Sequence, residues 1–195
     1  MPPSYGRVRV VAESHRQPLL ANGVMGMLIF VMTELMLFAG LISAFSIVRA
    51  SAILWPPPGQ PRLPFEETAL NTAALLASGV LLFVARRSFS RQRQRAGRAL
   101  LASILLGAFF VAFQGVEWVG LIRDGLTLTS STLGSFFYLI IGLHALHAIA
   151  GLAVLSYAWL RMRQGWLASS QLAAAGVFWY FVVGLWPVLY LVVYL

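Results

Sequence analysis

The stretch GVMGMLIFVMTELMLFAGLISAFSIV, Gly23 to Val48, carries a single ionisable side chain, Glu34, in its whole length. At about 1.5 Å of rise per residue, a helix of this length crosses about 30 Å of hydrocarbon with residues to spare. No water is available there, so the backbone must satisfy its own hydrogen bonds, which a helix does within itself. The apolar region is much longer than that of a secretory signal peptide, and a polar segment of about 22 residues precedes it. The stretch is therefore read as a retained membrane span.

Four further runs repeat the pattern: Thr68 to Ala85, Ala99 to Ile122, Thr132 to Leu160 and Gln171 to Leu195. The expected fold is all-α, a polytopic bundle of five transmembrane helices, with residues 1–22 as an N-terminal cytoplasmic segment and 23–195 as the membrane domain. Composition agrees. Hydrophobic residues make up 59% of the 195 and charged residues 10%, against roughly 25% charged in soluble domains. No segment is long enough to fold a separate polar module, so a nucleic-acid partner is not expected despite the net charge of +8. The chain has no cysteine, which excludes disulfides, iron–sulfur clusters, thiolate zinc sites and covalent haem attachment.

The connections are short. WPPPGQPRLPFEE, Trp55 to Glu67, cannot continue a helix through its prolines. RRSFSRQRQRAGR, Arg86 to Arg98, reads as a basic hairpin loop, and RDGLTLTSS and RMRQGW join the later spans. All 14 basic residues are arginine. With the N-terminus in the cytoplasm, eleven of them fall on that side and three, Arg49, Arg62 and Arg123, on the other. This bias places the N-terminus inside and the C-terminus on the periplasmic side.

Polar residues within the spans are the candidate functional groups. Glu34 lies near the middle of the first span, where an isolated charge costs about 2.5–3.5 kcal/mol. It is expected to be protonated or to face polar groups, as a proton-tuning residue or a packing-face hydrogen bonder. Gln114 and Glu117 share one face of the third span with Ser103, Gly107 and Phe110, a pattern suited to binding helices together. Asn71 is expected to brace a neighbouring helix. In GSFFYLIIGLHALHAIAG, Gly134 to Gly151, His144 and His147 project from one side of the fourth span. Two imidazoles so spaced cannot ligate both faces of one haem, and the remaining histidine, His15, lies in the polar N-terminal segment. A zinc site with Glu34 or Glu117 would be geometrically feasible but follows no recognised ligand motif; packing or interhelical hydrogen bonding is the favoured reading. Trp55, Trp118, Trp179, Trp186, Arg86 and Arg87 are candidate interface or lipid contacts. Pro187 is expected to kink the last span.

Taken in order, these landmarks resemble subunit III of the haem–copper oxidases, the cytochrome c oxidase subunit 3 family. GMLIFVMTELMLFAGLISAF is similar to its helix with a membrane glutamate, here Glu34. LNTAALLASG resembles its Asn–Thr to Ser–Gly segment, FQGVEW its Gln-to-Glu segment, and the Gly134–Gly151 stretch its paired-histidine helix. FWYFVVGLW resembles its closing helix, with Tyr180 and Val183 where the family commonly has histidine and aspartate. Many members have seven spans, so the resemblance is to a short five-helix form, found among bacterial oxidases and in an accessory protein associated with nitric oxide reductase.

The resemblance implies a non-catalytic accessory subunit in a bacterial cytoplasmic membrane, packed on oxidase subunit I and accompanied by subunit II and other respiratory subunits. It implies support of proton uptake and sustained turnover, haem and copper in the partners and none in this chain, and bound phospholipid. In the family that lipid sits in a cleft between the first two helices and the remaining bundle. An accessory subunit of nitric oxide reductase is the alternative. An independent transporter is a weaker one, because no inverted repeat or interrupted helix pair is visible.

Overall fold

A computed structural model describes residues 21–55 and 65–194. The N-terminal segment with His15 and most of the proline-rich connection, including Arg62, lie outside the described residues. Five helices follow in order: α1 Asn22–Ser51, α2 Phe65–Ser88, α3 Arg93–Arg123, α4 Thr132–Arg163 and α5 Ser169–Leu189, the last passing into a π-helical turn at Tyr190–Tyr194. Among the described residues all five are long and apolar enough to cross a membrane. The protein is a multi-pass membrane protein.

The helices outrun the expected spans, most clearly at the arginine-rich segment. Only residues 89–92 connect α2 to α3, so Arg86, Arg87, Arg93, Arg95 and Arg98 are helical and not part of a long loop. Arginine is a good helix former, and polar turns can project beyond the hydrocarbon. The stops have local causes. α3 and α4 each end on a glycine with positive φ, Gly125 at +92° and Gly165 at +81°. The amide of the residue after each glycine returns to a carbonyl in the last turn, Leu126 to Leu121 at 2.9 Å and Trp166 to Arg161 at 3.0 Å. This is the left-handed cap that satisfies terminal carbonyls. α4 starts at Ser131, whose hydroxyl accepts from the Gly134 amide at 3.0 Å.

Short connections make successive helices antiparallel neighbours. α2, α3, α4 and α5 close a ring, α2 against α3, α3 against α4, α4 against α5 and α5 back against α2; α1 lies outside it, on α5 and α4. Two tryptophans of α5, one heptad apart, fill the middle of the ring. Trp179 enters between glycines, with a Cβ on Gly107 of α3 falling 2.6 Å from its ring and one on Gly151 of α4 falling 2.7 Å from it. Its indole donates to the Ser78 hydroxyl of α2 at 2.8 Å. Trp186 packs edge-on to Phe110 of α3, lies beside His144 of α4 and donates to the Thr72 hydroxyl of α2 at 2.8 Å. Each tryptophan therefore touches every wall of the ring, and both are fully buried. Their expected role as lipid or interface contacts is corrected: the absence of side chains at Gly107 and Gly151 draws the indole inward.

Pro187 does not end α5. The helix continues past it and widens into the π turn, where the wider turn takes up one extra residue. Consequently the third aromatic of the stack is eight residues after Trp186, at Tyr194, whose ring packs on both Trp186 and Phe137.

Candidate functional site

Two polar clusters are built within the bundle. The first joins α1 to α4 at mid-span. Glu34 and His147 each fall near the middle of their helices, and His147 Nε2 lies 3.0 Å from Glu34 Oε2. The other ring nitrogen, Nδ1, lies 2.7 Å from the Leu143 carbonyl, one turn back on α4. A carbonyl can only accept, so Nδ1 carries a hydrogen. A neutral imidazole then has its lone pair on Nε2, and the hydrogen in the 3.0 Å contact comes from the glutamic acid. The charged alternative places that same hydrogen on nitrogen beside a carboxylate. In either form one proton occupies the contact and the pair sums to zero charge. That is the arrangement a low-dielectric medium tolerates, because no net charge is transferred into it.

Both partners are mostly covered, with side chains 11% exposed for His147 and 17% for Glu34. Phe38 packs edge-on to the His147 ring, with Phe178 and Phe181 of α5 at its other sides. Glu34 with His147 is a polar link between α1 and the ring, and Arg49, donating to the Val192 carbonyl at 3.1 Å, is another, while aromatic contacts from Phe30 to Phe178 and Phe45 to Phe136 seat the rest of α1.

His144 behaves differently. It is fully buried among Phe38, Phe110 and Trp186, and among the described residues neither ring nitrogen has a hydrogen-bond partner. An interhelical hydrogen bond at His144 is therefore replaced by ring packing. The two histidines lie about 60° apart around the helix, enough for one to face the α1 seam and the other the centre of the ring.

The second cluster joins α2, α3 and the π turn. Glu117 accepts from the Thr68 hydroxyl at 3.0 Å on one oxygen and from the Gln114 amide at 2.7 Å on the other. The same Gln114 nitrogen donates to the Tyr194 hydroxyl at 3.0 Å. Asn71 donates to the Phe110 carbonyl at 3.2 Å, tying α2 to α3. One layer further along, Ser103 donates to the Ser78 carbonyl at 2.8 Å. Thr68 and Tyr194 complete these clusters without having been singled out as site residues, whereas Ser78 is the serine of the LNTAALLASG segment. Thr68, Asn71, Leu75 and Ser78 form an inward run on α2 at three- and four-residue spacing, and that periodicity was the signal available for Thr68.

Trp118 is partly buried on Tyr138, and Trp55 on Phe45. Arg86 and Arg87 are both exposed, and Arg86 also lies over the Tyr180 ring and against Gly176. Val183, at the position where the resemblance led to an aspartate, packs against Gly79 of α2, with 3.0 Å between its Cγ1 and a Cβ built there. It is an apolar helix contact. Among the described residues no three His, Asp or Glu side chains converge closely enough to hold a metal ion.

The fold and its clusters define a class: an integral membrane bundle whose inward polar side chains bind helix to helix. The family model for cytochrome c oxidase subunit III matches residues 9–195. The cytochrome c oxidase subunit 3 proteins of the turtle Pelomedusa subrufa and the carp Cyprinus carpio are each 35% identical over 193 residues, covering 93% of this chain and 73% of the relative. That of the coelacanth Latimeria chalumnae is 34% identical over 190 residues, covering 92% and 72%. The chain belongs to the cytochrome c oxidase subunit III family, whose members are accessory subunits of an oxidase complex.

Proposed function

We propose that the chain is a non-catalytic subunit of an aerobic haem–copper oxidase in a bacterial cytoplasmic membrane, with its N-terminus inside. There it stabilises subunit I and supports proton uptake during sustained turnover. Haem and copper belong to the partner subunits, with subunit II among them. The Glu34–His147 pair carries the reading. It sits at mid-membrane on the helix that is least enclosed by this chain's own bundle. The other face of α1 presents Ile29, Met32, Met36 and Ile47 outward.

The chain's contribution is structural and electrostatic. Because the pair sums to zero charge, α1 presents an apolar wall to its surroundings while one proton is held just behind it. Such a wall excludes disordered lipid and water from a neighbouring proton-entry region, and the pair fixes where α1 stands.

Replacing Glu34 with Ala in the assembled oxidase tests this. Expected are weaker retention of the subunit through purification and faster loss of oxygen consumption during turnover, with Glu34→Gln closer to wild type. Wild-type retention and wild-type inactivation in both variants would defeat the proposal for Glu34.

A further inference from the structure

At the arginine-rich end of the bundle, the first turns of α3 and the last turns of α4 leave a groove of about 330 Å³. Its rim is formed by Arg93, Arg98 and Arg163, and its floor by Gly97, Leu101 and Met162. Trp159 forms one wall, with the Arg163 guanidinium 5.0 Å above its ring. Arg93 donates to the Gly165 carbonyl at 3.5 Å across the groove's end. Among the described residues, no Asp or Glu lines this groove or the arginine-bearing turns around it. Three guanidinium groups thus gather with no carboxylate beside them among the described residues. A guanidinium has five donors, so Arg93 retains others after its bond to Gly165.

The groove lies where the polar, arginine-bearing turns of α3 and α4 give way to their apolar lengths. Arg93 and Arg98 lie on the polar turns of α3 and Leu101 about one turn deeper, while on α4 Trp159 lies one turn deeper than Arg163. A small anion would engage the rim and leave the floor bare. A zwitterionic lipid would bring an ammonium group against three like charges. From this pairing of a cationic rim with an apolar floor we infer that the groove is a binding site for one anionic phospholipid, its phosphate on Arg98 and Arg163 and an acyl chain along Leu101 and Met162. Arginine suits phosphate because its donors form a planar fork. Gly97 keeps the floor open: a Cβ there would meet only Met162 Cε, at 3.9 Å. The site lies between α3 and α4 and depends on the membrane bundle alone, not on association with an oxidase.

The test titrates the full-length chain, purified in mild detergent, with phosphatidylglycerol and counts bound lipid by native mass spectrometry. One lipid is expected to bind more tightly than phosphatidylcholine. Each arginine neutralised should weaken it roughly fivefold, and Arg98→Gln with Arg163→Gln about thirtyfold. Gly97→Leu should remove the bound lipid while every charge remains. Arg87→Gln with Arg95→Gln, at the same end but lining a separate depression, should leave binding unchanged. Equal loss in that control would reduce the site to general surface charge and overturn the inference. So would equal affinity for phosphatidylcholine, wild-type binding by the Arg98/Arg163 variant, or displacement by inorganic phosphate or glycerophosphoglycerol at the lipid's own concentration.

Discussion

At the scale of single residues, the consequential contact is the one between His147 Nδ1 and the Leu143 carbonyl. It places a hydrogen on Nδ1, so in the neutral form of the pair the proton facing Nε2 comes from Glu34. Nitrogen NMR of His147 should report a hydrogen on Nδ1 in the folded protein, and signals from the opposite tautomer would break the argument. The same reasoning ranks substitutions. Glu34→Gln keeps a donor for Nε2, because the amide nitrogen can take the place of the acid. Interhelical hydrogen bonds in membranes average about 0.6 kcal/mol, so the Gln variant should lose no more than about that. Glu34→Ala leaves Nε2 without a partner in a largely covered position, and such an orphan costs about 1–3 kcal/mol. Thermal unfolding of the isolated chain in detergent should therefore order wild type, Glu34→Gln and Glu34→Ala, from most to least stable. None of this was legible from spacing alone. Glu34 and His147 are 113 positions apart, and a single sequence records that each is polar without recording which faces which.

At the scale of elements, the determining feature is the reception of Trp179 by Gly107 and Gly151. Trp179 cannot retreat, since it is fully buried and its indole is held by Ser78. A methyl group added at either glycine would have to displace a rigid ring, and overpacking of this kind costs about 1–3 kcal/mol. Gly107→Ala and Gly151→Ala should both lower the unfolding temperature. Gly40→Ala meets nothing within 4 Å and gains helix propensity of about 1 kcal/mol, so it should be neutral or slightly stabilising. A greater loss at Gly40 than at Gly107 in the isolated chain would contradict the packing described. Helix existence was plain from the sequence because mean hydropathy over some twenty residues is a sum and tolerates local error. The direction of Trp179 and Trp186 was not, because an amphipathic indole suits both a headgroup boundary and a buried site with a hydroxyl partner. Small residues on two other helices decided between them. Helix ends were misplaced where arginine is a good helix former, as at Arg93 to Arg98, and Gly125 and Gly165 marked the true stops more closely than the charges did.

At the scale of the whole molecule, the bundle sorts its charge by end. The arginines from Arg86 to Arg98 meet Arg161 and Arg163 at one end, joined there by the Arg93–Gly165 contact, while Arg49 and Arg123 lie at the other. α3, with 31 residues, separates these ends by about 46 Å at the usual helical rise. Positive loops favour the cytoplasmic side because arginine is retained there during insertion. The proposed orientation therefore puts the residues 89–92 connection inside and the residues 124–131 connection outside. The absence of cysteine makes this directly measurable. Thr129→Cys and Ser90→Cys each introduce one thiol at an exposed position, on opposite ends. In intact cells an impermeant maleimide should label the Thr129 variant, and the Ser90 variant only after the membrane is opened. The reverse pattern would invert the bundle and carry the arginine groove to the outer surface. Labelling of both variants in intact cells would conflict with a single orientation, since α3 connects the two positions as one continuous helix.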